Sequence, residues 1–173
     1  MKLRSRKGFT MVELIVVVAF TAVIIGAACM ILYYGTQTFH SGTANAFSQQ
    51  KTTLAESYIQ QYAVDATDVE STVDGGADGV IFSVSGNVLH VKTQKISGGA
   101  SSEVTVDGIS EIDFKMENGS LNYTIFAADD SYKLTGGIVP SSSTSVSLTS
   151  CRVMQGGAAL FMEMPSDLDP QMP

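Results

Sequence analysis

The chain has 173 residues, which suits one domain with at most an appendage. Hydrophobic residues make up 45% and charged residues only 16%; that excludes a disordered chain and is low for a soluble domain, where about 25% is typical. The net charge is −7, and beyond residue 35 there are 6 basic and 16 acidic residues, which argues against nucleic-acid binding, while two cysteines and two histidines exclude a disulfide scaffold and a zinc cluster.

Residues 1–8 form a short basic stretch, MKLRSRKG. Leu14 to Leu32 then run for nineteen residues without a charge, and Phe9, Met11 and Val12 extend the apolar side upstream. The hydrophobic core of a secretory signal covers about 7–15 residues. This run is longer and reaches the roughly 20 residues that span a bilayer. Basic residues ahead of it place the N-terminus in the cytoplasm and the rest of the chain on the outer face. A cleaved signal ending at Gly26-Ala27-Ala28, or a lipoprotein signal with Cys29 as the lipidated residue, are the ordinary alternatives. Neither accounts for Glu13. A carboxylate near the start of a membrane run costs up to a few kcal/mol if pushed towards the centre, and a signal has no need of one.

Lys7-Gly8-Phe9-Thr10-Met11-Val12-Glu13-Leu14 resembles the cleavage and methylation motif of the type IV pilin and pseudopilin family. That motif is a basic leader ending in Gly, then Phe, often Thr, then Glu at the fifth mature position, then a long apolar helix. The resemblance covers about the first 35 residues. It implies that a prepilin peptidase cuts between Gly8 and Phe9 on the cytoplasmic side and N-methylates Phe9. It also implies assembly with other pilin subunits through Phe9 and Glu13, with the help of a pilus assembly machinery in the inner (cytoplasmic) membrane. Physical chemistry agrees with those roles. Small, flexible Gly8 lets the chain enter a protease site extended. Cleavage creates an amine on Phe9 four residues from Glu13, about 6 Å along a helix axis. Among staggered subunits the amine meets a neighbour's carboxylate, and pairing offsets the cost of burying each charge. The alternative for Glu13 is a hydrated carboxylate at the membrane surface.

Tyr33 and Tyr34 follow the apolar run as an aromatic interface belt, and Gly35 and Gly42 are places for the helix to loosen. From Thr43 to Val64, Ala44, Phe47, Leu54, Tyr58 and Tyr62 recur near helical spacing, with Ala55 and Ile59 beside them. The pattern predicts one long helix over 9–64, its membrane part at 9–34 and its second half amphipathic, facing a β-sheet. Residues 65–79 are acidic and Gly-rich; Asp65, Asp68, Glu70, Asp74 and Asp78 fit no EF-hand spacing, so a solvated linker is expected rather than a calcium site.

The remainder alternates with period two. Val80, Phe82 and Val84 turn at Ser85-Gly86-Asn87 into Leu89 and Val91. Ile112, Phe114 and Met116 turn at Glu117-Asn118-Gly119-Ser120 into Leu121, Tyr123 and Ile125, with Asp113, Lys115, Asn122 and Thr124 on the wet face. The hairpin over 109–126 is loosely similar to that of minor pilins and minor pseudopilins at filament tips. Val104–Val106, Val146–Leu148 and Ala159–Met162 predict further strands. Ser97–Ser102 and Ser141–Ser145 read as flexible loops, the Gly pairs at 75–76, 98–99, 136–137 and 156–157 as turns, and 165–173 as a frayed tail. His40 and His90 stand without carboxylate partners in sequence, Met154, Met162 and Met164 read as packing residues, and no nucleophile or phosphate-binding motif is present. The expected architecture is α+β: a leader at 1–8, a long N-terminal helix packed on an antiparallel sheet, and a β-rich domain at 65–164. The expected function is that of a non-catalytic, minor structural subunit of a type IV pilus, a type II secretion pseudopilus or a competence pilus, without cofactor or metal. The alternative is a single-pass or lipid-anchored surface binding module.

Overall fold

The computed structural model describes residues 9–71, 77–95, 101–140 and 148–165. Helix α1 spans Met11–Ala63. It is followed, among the described residues, by β1 (Asp68–Glu70), β2 (Gly79–Ser85), β3 (Val88–Gln94), β4 (Glu103–Asp107), β5 (Ile109–Glu117), β6 (Ser120–Ala127), β7 (Lys133–Ile138), β8 (Ser150–Met154) and β9 (Leu160–Glu163). The chain divides into two compact units, Met1–Ala44 and Asn45–Pro173. The expected 9–64 helix is therefore shared between units, and its second half belongs with the strands. The fold is α+β, as the sequence predicts.

In place of one sheet there are two, both antiparallel. One has the order β1-β9-β2-β3-β4 and the other β7-β6-β5-β8. Both expected hairpins form, with tight two-residue turns. Gly86 and Asn87 have φ of 59° and 62°, and Asn118 and Gly119 have 55° and 78°. Two successive positive φ values define the turn whose twist matches its strands, and Asn and Gly tolerate that backbone best. The period-two faces fall as predicted: Ile112, Phe114, Leu121, Tyr123 and Ile125 are buried while Lys115 and Glu117 are exposed and paired. Ser110 is the extra residue of a bulge, since Ile109 faces Ala127 and Glu111 faces Phe126. Phe82 of β2 and Phe114 of β5, with ring centroids 6.4 Å apart, join the inner faces of the two sheets.

The helical stripe that covers this core differs from the expected one. Ser48, Thr52, Ala55, Ile59, Tyr62 and Ala63 are buried. Phe47 and Leu54 are 62% and 47% exposed, and Ala44 is exposed too. The buried positions follow the 3.6 period as well, but four of the six, Ser48, Thr52, Ala55 and Ala63, are small. The two aliphatic hydroxyls among them are satisfied: Ser48 donates to Asp129 Oδ2 at 2.8 Å, and Thr52 donates to the Ser48 carbonyl at 2.9 Å. A hydrogen-bonded hydroxyl is buried at little cost. Further ties hold the stripe down. Tyr123 donates to Glu56 Oε1 at 2.8 Å, and Gln60 bridges both groups. Lys51 pairs with Asp107 Oδ2 at 2.7 Å and lies against Gly108, whose φ is +80°. The Tyr62 ring packs edge-on to Phe82, with centroids 6.3 Å apart. Gly35 and Gly42 do not interrupt α1.

Three further strand and loop expectations are corrected, and one packing expectation. Residues 68–70 are a strand, not linker, because Val69 is buried and β1 pairs with β9; Asp74 lies outside the described residues. Leu148 is buried but outside any strand, and the strand expected at 146–148 forms at 150–154, while residues 146 and 147 lie outside the described residues. Gly136 and Gly137, expected as a turn, sit inside β7. A Cβ on Gly136 would lie 2.5 Å from Tyr123 Cζ, so the tyrosine ring occupies the space of the missing side chain. Met162 and Met164 are buried as expected, but Met154 is 42% exposed because alternation on β8 puts Cys151 and Val153 inward instead. The loops expected over 97–100 and 141–145, the Gly pairs 75–76 and 98–99, and the tail beyond Pro165 lie outside the described residues. Ser102 is bonded to Thr93 by its backbone N–H, carbonyl and hydroxyl.

Two stability predictions follow from named side chains. The Tyr62 hydroxyl is buried without a hydrogen-bond partner among the described residues, and burial together with Tyr58 pushes its pKa up. An unpaired buried polar group costs about 1–3 kcal/mol, so Tyr62→Phe should raise the urea midpoint of a 36–173 fragment, by about 1 kcal/mol in stability. A lowered midpoint would show that the hydroxyl has a partner in solution. Gly136→Ala must displace the Tyr123 ring and its bond to Glu56, and should cost about 1–3 kcal/mol in the same measurement. An unchanged midpoint would mean that β7 shifts freely.

Candidate functional site

The helix start is built from Thr10. Its carbonyl accepts the Leu14 N–H at 3.2 Å, the first helical bond, and its hydroxyl accepts the Glu13 N–H at 3.3 Å. Thr10 is thus the N-cap, and Phe9 and Thr10 lie outside the helix. Glu13 occupies the third helical position, where an acid also complements the positive end of the helix dipole. The motif-based reading used Thr10 as part of a pattern and missed its capping role. The signal was present, because Thr-x-x-Glu is the spacing of a capping box. Phe9 is 75% exposed. Gly8 lies outside the described residues, so the expected cleavage bond is seen from its Phe9 side alone.

Downstream, the helix exposes apolar residues on all sides. Leu14, Ile15, Val17, Val18, Phe20, Val23 and Ile24 are each more than half exposed. Val16, Ala19, Phe20 and Val23 line a shallow apolar groove where small Ala19 lowers the surface. Thr21 is the polar exception, and its hydroxyl donates to the Val17 carbonyl at 2.7 Å, so it adds no unsatisfied group. Thr36, Thr38, Ser41 and Thr43 bond back to the preceding turn in the same way. Tyr33 and Tyr34 are exposed and pack edge to face at 5.7 Å. This helix contains one segment long and apolar enough to cross a membrane. Cys29 is exposed on that segment.

The β-rich unit holds several ion pairs. His90 Nδ1 lies 2.7 Å from Glu103 Oε1, which corrects the expectation of an isolated histidine: the partner comes from the neighbouring strand, thirteen residues away, rather than from sequence spacing. Arg152 bridges Asp113 at 2.8 Å and Glu111 at 3.0 Å. Burial pushes the Cys151 thiol up, away from the reactive thiolate form. Among the described residues no three His, Cys, Asp or Glu side chains are grouped to hold a metal ion. Compared with protein-family models, with curated proteins and with solved structures, the chain matches none of them.

Proposed function

We propose that the chain is a pilin-like subunit: a single-pass protein of the cytoplasmic membrane, processed by a prepilin peptidase and assembled through its N-terminal helix into an extracellular or periplasmic filament. The observation that carries this reading is the start of α1. The motif Gly8-Phe9-Thr10-Met11-Val12-Glu13 leads into a helix whose early side chains are apolar and exposed, while its residues from Ser48 onward form the spine of a β-rich unit. Such a surface has to be covered by lipid or by other helices. In the filament the covering helices belong to other subunits, and the charge on Glu13 is met by the amine of a neighbour's Phe9. No step of catalysis is assigned to the chain. Whether the filament is a type IV pilus, a type II secretion pseudopilus or a competence pilus, the subunit's mechanism is the same. It moves from bilayer to bundle.

The N-terminal mass of the purified protein is the direct test. A start at methylated Phe9 is expected; an intact Met1 would favour the plain anchor and a lipid on Cys29 the lipoprotein. Gly8→Val should leave the precursor uncut, because a bulky residue at the scissile position has no room that glycine does not create. A mature mass unchanged by that substitution would sink the processing step. Glu13→Val should insert and be cleaved normally but enter filaments poorly, since breaking one side of a buried charge pair costs about 3–5 kcal/mol. Glu13→Gln keeps the shape and some hydrogen bonding and should be milder. Counting subunits in sheared filaments or crosslinked complexes at equal membrane levels decides it, and equal incorporation of Glu13→Val would overturn the pairing.

A further inference from the structure

Thr10 stands two residues after the proposed cut and one residue before the helix. Its carbonyl and hydroxyl both act on the first turn, accepting from Leu14 and Glu13. Upstream, Phe9 carries no capping group, and Arg6 and Lys7 are good helix formers. Gly8 is a poor helix former, but it lies beyond Phe9, so placing the boundary at Met11 rather than at or before Phe9 falls to Thr10. A hydroxyl at the cap holds that boundary, whereas alanine in its place is the best helix former and a poor cap.

From this we infer that Thr10 is a positioning residue for processing. By ending the helix at Met11, its hydroxyl keeps the Phe9 peptide nitrogen outside the helix, available to a peptidase that binds the chain extended across the Gly8–Phe9 bond. This rests on the processing reading proposed above. The cleavage itself is amide hydrolysis: water adds at the Gly8 carbonyl carbon, the C–N bond breaks, and Phe9 leaves as the free amine. Thr10 takes no part in bond making. Its loss acts by moving the helix start. At an apolar boundary, N–H groups left uncapped are better satisfied by extending the helix upstream than by fraying into a medium poor in water. Gly8 is the next residue that tolerates the cap position, and a helix capped there would bring the Phe9 peptide into its first turn.

The test uses the full chain in membranes with a prepilin peptidase, following the mature product by mobility and N-terminal mass. Thr10→Ala should slow cleavage about three- to tenfold. Thr10→Ser and Thr10→Asn, which differ in shape but both cap, should restore a rate within about twofold of the parent. Backbone chemical shifts of residues 8–13 in detergent micelles should show the helix start moved upstream in Thr10→Ala and kept at Met11 in Thr10→Asn. Equal cleavage of Thr10→Ala would overturn the inference while leaving the processing reading intact. Slow cleavage of Thr10→Asn with an unmoved helix start would also overturn it, because the peptidase would then be reading the hydroxyl itself. Slow cleavage of Thr10→Ala without a shifted helix start has the same consequence. A parent chain that is not cut at all removes the processing reading, and the inference with it.

Discussion

A helix that is apolar on every side has no stable place in water. Between Leu14 and Leu32 nothing carries a charge, and the hydroxyl of Thr21 is turned back onto its own backbone. Each exposed aliphatic residue carries a transfer cost of about 1.5–3 kcal/mol if left in water. The segment is long and apolar enough to cross a membrane. The aromatic pair Tyr33–Tyr34 sits just after this run, an arrangement suited to an apolar body and a wet end. The polar cap at Thr10 and the acid at Glu13 bound it on the other side. Two polar boundaries about 20 residues apart form the pattern a bilayer selects.

The second half of the helix solves a different packing problem. It must serve two sheets at once, and it does so with small residues in the middle of its stripe and large ones at the end. Thr52 and Ala55 are buried in its middle, and Ile59 and Tyr62 fill the core beyond them, Tyr62 against Phe82. Around that apolar contact lie directional ties: Ser48 to Asp129, Lys51 to Asp107, and Glu56 and Gln60 to Tyr123. The Lys51 ammonium lowers the Asp107 carboxyl below its ordinary range by hydrogen bond and charge, and Ser131 and Ser48 lower that of Asp129. Both carboxylates are stabilised as anions in the folded state. Their contribution is complete above the unfolded carboxylate range and is lost as pH falls through the lower folded values. Tyr123 links three elements, because its ring also covers Gly136 of β7.

How much of this was legible in the sequence depends on which physical signal carried each element. The hairpins were plain, since Gly86-Asn87 and Asn118-Gly119 announce turns and the flanking alternation states which face is wet. Hydropathy marked the helix but misplaced its inner stripe. Phe47 and Leu54 are more apolar than Ser48 and Thr52, yet it is the latter that are buried: Thr52 bonds back to its own helix, and Ser48 finds in Asp129 an acceptor that only the folded chain provides. β7 was hidden for a similar reason: glycine inside a strand makes sense only once the Tyr123 ring is seen above it. β1 is three residues long and amounts to one buried Val69 in an acidic stretch. At the helix start, the motif directed attention to Phe9 and Glu13 and away from the capping-box spacing of Thr10 and Glu13, which the two hydrogen bonds of Thr10 make plain.

The place of β9 has a consequence for how the molecule is made. This strand comes last among the described strands, at Leu160–Glu163, yet it lies between β1 and β2 and pairs with both. Until residue 163 is available, Val69 and Val80 lack the neighbour that brings their strands together. The hairpins β2–β3 and β5–β6 close locally and need no such wait. Folding of the first sheet is therefore held open until β9 is made, well after the apolar helix has emerged. A chain whose later part crosses a membrane behind an N-terminal anchor would keep this one sheet unlatched, with its hairpins already closed, until β9 has followed.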